Sequence, residues 1–156
     1  MPKFNVSRHV TYNVDQVFPV AADVAQYSEF VPLVRKSTVS NLKKLPDGRT
    51  EFDSALTITY KKLGISDVFN SHVVVDPKNH TVTATANEGM VSHLISEWKM
   101  TPNANGGSDV HFNVDYPLKS RSLQFLMSGL FDLMVRKIMS AFEERVRKLH
   151  AGTAVA

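Results

Sequence analysis

An α+β fold is predicted. It is a curved antiparallel sheet of about seven strands wrapped around a long C-terminal helix, with a short broken helix pair after the first strand. Three observations predict it. Residues 34–118 run as short stretches of alternating apolar and polar residues between turn signals, the pattern of an antiparallel meander. Residues 120–150 carry a continuous apolar stripe at helical spacing. Residues 13–30 hold a helical pattern interrupted by proline.

The elements follow in order. Phe4, Val6, Arg8, Val10 and Tyr12 alternate with mostly polar neighbours and predict a first strand. Asn13 is a good helix N-cap, with Gln16 at capping-box spacing, and Val17, Phe18, Ala21, Val24 and Ala25 recur at helical intervals. Pro19 lies early in that helix. A break is expected near Gln26, then a short turn through Phe30 that Pro32 ends. A strand over 34–45 runs to the turn Pro46-Asp47-Gly48. Strands over 50–62 and 65–75 follow, then strands over 80–88, 94–100 and 109–118. In the last, Val110, Phe112, Val114 and Tyr116 point inward. The terminal helix carries Leu123, Met127, Leu130, Met134, Ile138, Phe142 and Leu149 as its stripe. Asp132/Arg136, Glu143/Arg147 and Glu144/Lys148 are spaced for i,i+4 ion pairs.

The 156 residues suit one domain over 1–150, with 151–156 as a frayed tail. Apolar content of 43% against 21% charged residues is that of a globular chain with a core of its own. There is no cysteine, so disulfides, thiol nucleophiles and thiolate metal sites are excluded. The start has no apolar run suited to a targeting segment, and no stretch is long and apolar enough to span a bilayer as a helix. A net charge of +3 permits contact with an anionic surface without demanding it.

Nine of the thirteen residues in 123–135 are Leu, Phe, Met or Val, so that half of the terminal helix needs cover on more than one side. Met90, Met100, Met127, Met134 and Met139 fall in or near the inward set, and Val82, Ala84 and Ala86 form a small-residue face. These residues either pack a core or leave room for a ligand. The segment 26–34 is correspondingly either a lid over an apolar pocket or a corner that plugs the core.

Catalytic signatures are missing. The six histidines are not at HxH or HExxH spacing, and no acids are expected to cluster with those in strands; no metal site is predicted. Nucleophile-elbow, P-loop and dinucleotide motifs are absent. Arg35-Lys36, Lys43-Lys44 and Lys61-Lys62 are basic, but acids interleave the basic residues of the last helix and the aromatics fall on apolar faces. Nucleic acid is not an expected partner.

The stretches YSEFVPLVRKS at 27–37, EGMVSHLISEWKM at 88–100 and FLMSGLFDLMVRKIMSAFEERV at 125–146 resemble the coenzyme Q-binding branch of the START-like, polyketide cyclase-like helix-grip superfamily. The likeness covers residues 3–150. The chain departs from the family pattern in having Ser28 for a proline, Leu33-Val34 for an aromatic and a cysteine, and Met90-Val91 within the second motif.

The resemblance implies a bacterial, non-enzymatic carrier of ubiquinone or another prenyl lipid that supports respiratory electron transport or quinone biosynthesis. The quinone would be a bound ligand, with no catalytic cofactor. Tyr27, Ser54, Tyr60, Ser96 and Trp98 would meet its head, and Leu94, Phe112, Phe125, Leu126, Leu130 and Met134 its tail, with Phe30, Pro32 and Leu56 completing the lining. The implied protein is a cytoplasmic monomer or weak dimer that visits the inner membrane as a peripheral partner. The same fold also implies two alternatives, a ribosome-association toxin of a toxin–antitoxin pair and an aromatase/cyclase-like enzyme.

Overall fold

A computed structural model describes residues 3–32, 34–60, 65–86, 94–115 and 136–150. In it, β1 (Lys3–Val10) leads to α1 (Val14–Ala22) and a 3-10 helix (Val24–Glu29). Then come β2 (Val34–Lys44), β3 (Thr50–Tyr60), β4 (Ile65–Asp76), β5 (Thr81–Ala86), β6 (Leu94–Pro102) and β7 (Ser108–Asp115). A second helix, α2, is described over 136–149.

The seven strands form one antiparallel sheet in the order β1-β7-β6-β5-β4-β3-β2. The meander from β2 to β7 follows from its short turns, because consecutive strands find each other first. The helical crossover at 13–30 lets β1 pair with β7 at the far edge, from Lys3 opposite Asp115 to Val10 opposite Ser108. The architecture is the predicted α+β helix grip, a curved sheet holding a C-terminal helix.

Capping decides the start of α1. The Asn13 side chain accepts from Gln16 N–H at 3.0 Å, and the Gln16 side chain accepts from Asn13 N–H at 2.9 Å. The helix breaks at Asp23 rather than near Gln26. Pro19 removes one ladder donor, and α1 runs only one turn past it. Asp23 N–H still donates to the Pro19 carbonyl at 3.1 Å, and then Gln26 N–H donates to the Asp23 carbonyl at 3.1 Å, the tighter 3-10 spacing.

The core lies between the inner sheet face and the helices. Val10, Val17, Ala21, Phe52, Val73, Val82, Met100, Val110, Met139, Phe142 and Val146 are all buried in one cluster. Each large member withdrawn from water stabilises the fold by about 1.5–3 kcal/mol. Along β7, Ser108, Val110, Phe112 and Val114 are buried while the residues between them are half-exposed, as the alternation predicts. Ser108 is tolerated because its hydroxyl donates to the Tyr12 carbonyl at 2.6 Å. Gly107 is required beside it, since a Cβ there would lie 2.2 Å from the Val10 carbonyl oxygen.

Two expectations for α2 are corrected. Leu149 is 54% exposed and leaves the stripe, which is carried by Met139, Phe142 and Val146. Neither complete i,i+4 pair in this stretch forms. Arg147 bonds Glu144, three residues before it, and Glu143 reaches across to Arg8 of β1 at 3.4 Å. The first half of the predicted helix, with Asp132, and the tail 151–156 lie outside the described residues.

Candidate ligand-binding site

Cross-strand rows organise the inner face. Met100 lies opposite Val110, and both are fully enclosed. The next row is Val82, Trp98 and Phe112, at 3%, 5% and 6% exposure. Beyond it are Ala84, Ser96 and Val114, where Ala84 and Ser96 are only half-buried. Then comes Ala86 opposite Leu94, with Leu94 half-buried. On β3 the same gradient runs from buried Phe52 and Ser54 to half-buried Leu56. Beyond the Trp98 row the described face is mixed: Ala84, Ser96, Leu94 and Leu56 are half-buried, while Phe52, Val73, Val114, Ser54 and Ala86 in the same rows are buried.

Trp98 forms the floor of that boundary. Its ring stacks on Phe142 at 4.6 Å and leans on Phe112 at 4.3 Å. Beside it the Tyr27 hydroxyl donates to the Ala21 carbonyl. Burial pushes the Tyr27 phenol well above its ordinary range, against the smaller opposing effect of the Trp98 hydrogen bond, so the group stays a neutral donor.

The segment carrying Tyr27 is pinned on three sides. Tyr27 itself holds it to α1. Ser37 of β2 holds it to the sheet, accepting from Ser28 N–H at 3.0 Å and donating to the Ala25 carbonyl at 2.8 Å. Arg145 of α2 holds its end, meeting Glu29 at 3.2 Å with its guanidinium 5.4 Å from the centre of the Phe30 ring. Phe30 packs edge-on against Tyr27 at 5.7 Å. Outside this segment, a cleft of about 170 Å³ is lined by Pro19, Val20, Asp23, Gln26, Phe30, Arg145, Leu149 and His150.

The structure thus brings together Tyr27, Phe30, Trp98 and Phe112, with Leu56 and Leu94 packed on the same core. Ser54 is buried on β3, Ser96 is half-buried one row above Trp98, and Pro32 is half-buried after the pinned segment. Tyr60 closes β3 opposite Ile65. Phe125, Leu126, Leu130 and Met134 lie outside the described residues. Sequence reasoning missed Ser37 and Arg145, whose contacts span 12 and 116 positions of the chain and leave no local signal.

Among the described residues, no three His, Asp or Glu side chains are grouped to hold a metal. The expectation that the strand histidines lack acidic neighbours is corrected at His72. It lies on the outer face between Glu51 at 3.3 Å and Asp53 at 3.2 Å, because the β3–β4 register sets His72 directly opposite Asp53.

The chain is similar to several characterised proteins. It is 26% identical over 160 residues to the mitochondrial coenzyme Q-binding protein COQ10 homolog B of Xenopus laevis, covering 98% of this chain and 61% of that protein. It spans about three-fifths of the length of the frog protein. It is 22% identical over 152 residues to the ribosome association toxin RatA of Escherichia coli K12, covering 97% of this chain and 91% of the toxin. In structure it matches an aromatase/cyclase of Streptomyces sp. R1128 with a TM-score of 0.83 over 99% of both chains at 15% identity, a likeness of fold. Among the described residues no helix is long and apolar enough to cross a membrane. Residues 10–143 match the family described as polyketide cyclase/dehydrase and lipid transport, and the chain belongs to that family.

Proposed function

We propose that this protein binds a hydrophobic molecule between the inner sheet face and the C-terminal helix, and that the molecule is ubiquinone or another prenyl lipid. One observation carries the reading. Beyond Trp98 the inner face has a patch of small or half-covered residues, Ala84, Ser96, Leu56 and Leu94, bordered by buried Phe52, Val73 and Val114. The polar groups at that boundary are few and uncharged: the Tyr27 hydroxyl, the Trp98 N–H, Ser54 and Ser96. Such a surface suits a weakly polar head on an apolar tail. The COQ10 relative, named for coenzyme Q binding, supports the choice of ligand.

The same surface supports a carrier rather than a catalyst. The inward positions of β5, β6 and β7 carry no carboxylate or imidazole, so the described wall supplies no group to move a proton. In this reading the partner is a small hydrophobic molecule, held as cargo.

Native mass spectrometry tests the proposal on protein purified from a quinone-producing host, with solvent extraction and identification of the lipid. A stoichiometric prenyl quinone is expected, with Trp98→Ala reducing occupancy. Empty protein that also refuses added ubiquinone overturns the reading. In that case co-sedimentation with ribosomal subunits tests the toxin-like alternative, which the similarity to RatA favours.

A further inference from the structure

The hairpin joining β2 and β3 has a shape that neither the core nor the pocket explains. Strand β2 is an edge of the sheet and contains four basic residues, Arg35, Lys36, Lys43 and Lys44, and no acid. Between Ser40 and Lys43 its register slips. Ser40 faces Asp53 and Lys43 faces Glu51, so Asn41 and Leu42 together stand opposite Phe52. This is a β-bulge. Asn41 adopts the left-handed conformation, φ 56°, and its side-chain amide donates to Asp53 at 2.8 Å. Leu42 is left 61% exposed, more than any other large apolar residue described.

Charge collects around that leucine. Lys43 and Lys44 follow it and are exposed. Glu51, opposite Lys43, is turned to His72 instead. Asp53 is engaged by Asn41 and His72, and Asp47 by Arg49. The register of β3 on β4, with Thr50 opposite Val75, sets the exposed Lys78 of the next turn at the same end of the sheet. Asp76, at the base of that turn, is held by Asn79 and by the Lys78 N–H. The carboxylates of this end are therefore occupied locally.

Lysines and a bulge on an edge strand also discourage pairing with another chain. A polar residue at 42 would serve that purpose better than an exposed leucine, so edge protection does not explain Leu42. A nucleic acid would use the lysines through its phosphates but offers nothing to an aliphatic tip. An anionic bilayer offers both an acidic plane and hydrocarbon beneath it. We propose that the β2–β3 hairpin docks this protein on an anionic lipid surface, with Leu42 entering the interface and Lys43, Lys44 and Lys78 meeting the head groups. The inference does not rest on what the inner pocket holds.

The chain has no cysteine, so Leu42→Cys accepts a single environment-sensitive fluorophore. The assay uses phosphatidylcholine vesicles with and without phosphatidylglycerol, without quinone. Binding is expected only with phosphatidylglycerol and should weaken in high salt. The label should shift to the blue on binding. Each lysine at such a surface changes partitioning about five-fold, so the double variant Lys43→Glu/Lys44→Glu should lose about twenty-five-fold or more. Leu42→Ser should weaken binding with unaltered thermal unfolding. Failure to bind anionic vesicles overturns the proposal, and so does binding that leaves the label in water. Lysine-dependent binding to a duplex RNA, indifferent to Leu42→Ser and not seen with vesicles, overturns it in favour of a nucleic-acid surface.

Discussion

At the scale of single residues, His72 is the clearest case of a side chain whose charge is set by its neighbours. Its hydrogen bond to Asp53, then that to Glu51, outweighs partial burial and raises the imidazole above its ordinary 6.5. Asp53 is lowered from 3.8, first by the Asn41 amide and then by His72. The His72 contribution to stability is therefore complete below about pH 6.5 and is lost as pH rises through the raised folded value. The Asp53 contribution is present above its ordinary value and lost as pH falls through the lowered one. Thermal unfolding followed from pH 6 to pH 9 should show a modest fall in the midpoint, and His72→Gln should remove that part of the slope. Because the group is half-exposed, salt should reduce the effect. Tyr27 is the opposite case, kept neutral because its hydroxyl is enclosed and donates to the Ala21 carbonyl.

Among elements, the 3-10 helix is the one held by side chains more than by burial. Only Val24 of its six residues is buried, and its position depends on Tyr27, Ser37 and Arg145. The Arg145 contacts with Glu29 and Phe30 are together worth about 1 kcal/mol. Arg145→Ala should therefore speed amide exchange across residues 24–31 about five-fold, with the urea midpoint of global unfolding nearly unchanged. If the segment is the route to the pocket, the same variant should release a bound ligand faster; unchanged exchange would show that Arg145 does not restrain it. The cap of α1 was legible in Asn13 and Gln16 because a capping box is local chemistry. The sequence pattern puts the break three residues later, near Gln26, because nothing local shows that the Asp23 N–H bond to the Pro19 carbonyl closes the last α-helical turn.

For the whole molecule, the sheet and its order were legible because alternation in β3, β6 and β7 is strict and the turns between strands are short. The site was legible only as a list of inward residues. Which of them touch depends on register and on the approach of α2, and neither Ser37 bridging to Ala25 nor Glu143 choosing Arg8 over Arg147 has a signature in local sequence. Phe142 shows what that approach provides. It is 1% exposed, stacks on Trp98 and joins the helix to the centre of the sheet. Phe142→Ala should cost about 3–5 kcal/mol, seen as a large fall in the urea midpoint, since the cavity would open between helix and sheet with no backbone free to collapse into it. A loss below about 1 kcal/mol would mean that the helix repacks easily and that the floor beneath the proposed ligand is soft.

The pairing of β1 with β7 also dictates an order of assembly. Lys3 lies opposite Asp115, so the first of the seven described strands to be made is matched to the last of them. During synthesis β1 and the helices after it must wait without their partner edge while five intervening strands emerge. The β2–β7 meander can form by growth from neighbour to neighbour, but the final edge closes only through a contact between the two ends of the domain, the slow, high-contact-order step of such a topology. A nascent chain stalled before residue 108 would expose an unpaired β1, making that interval the period in which this protein most needs protection from aggregation.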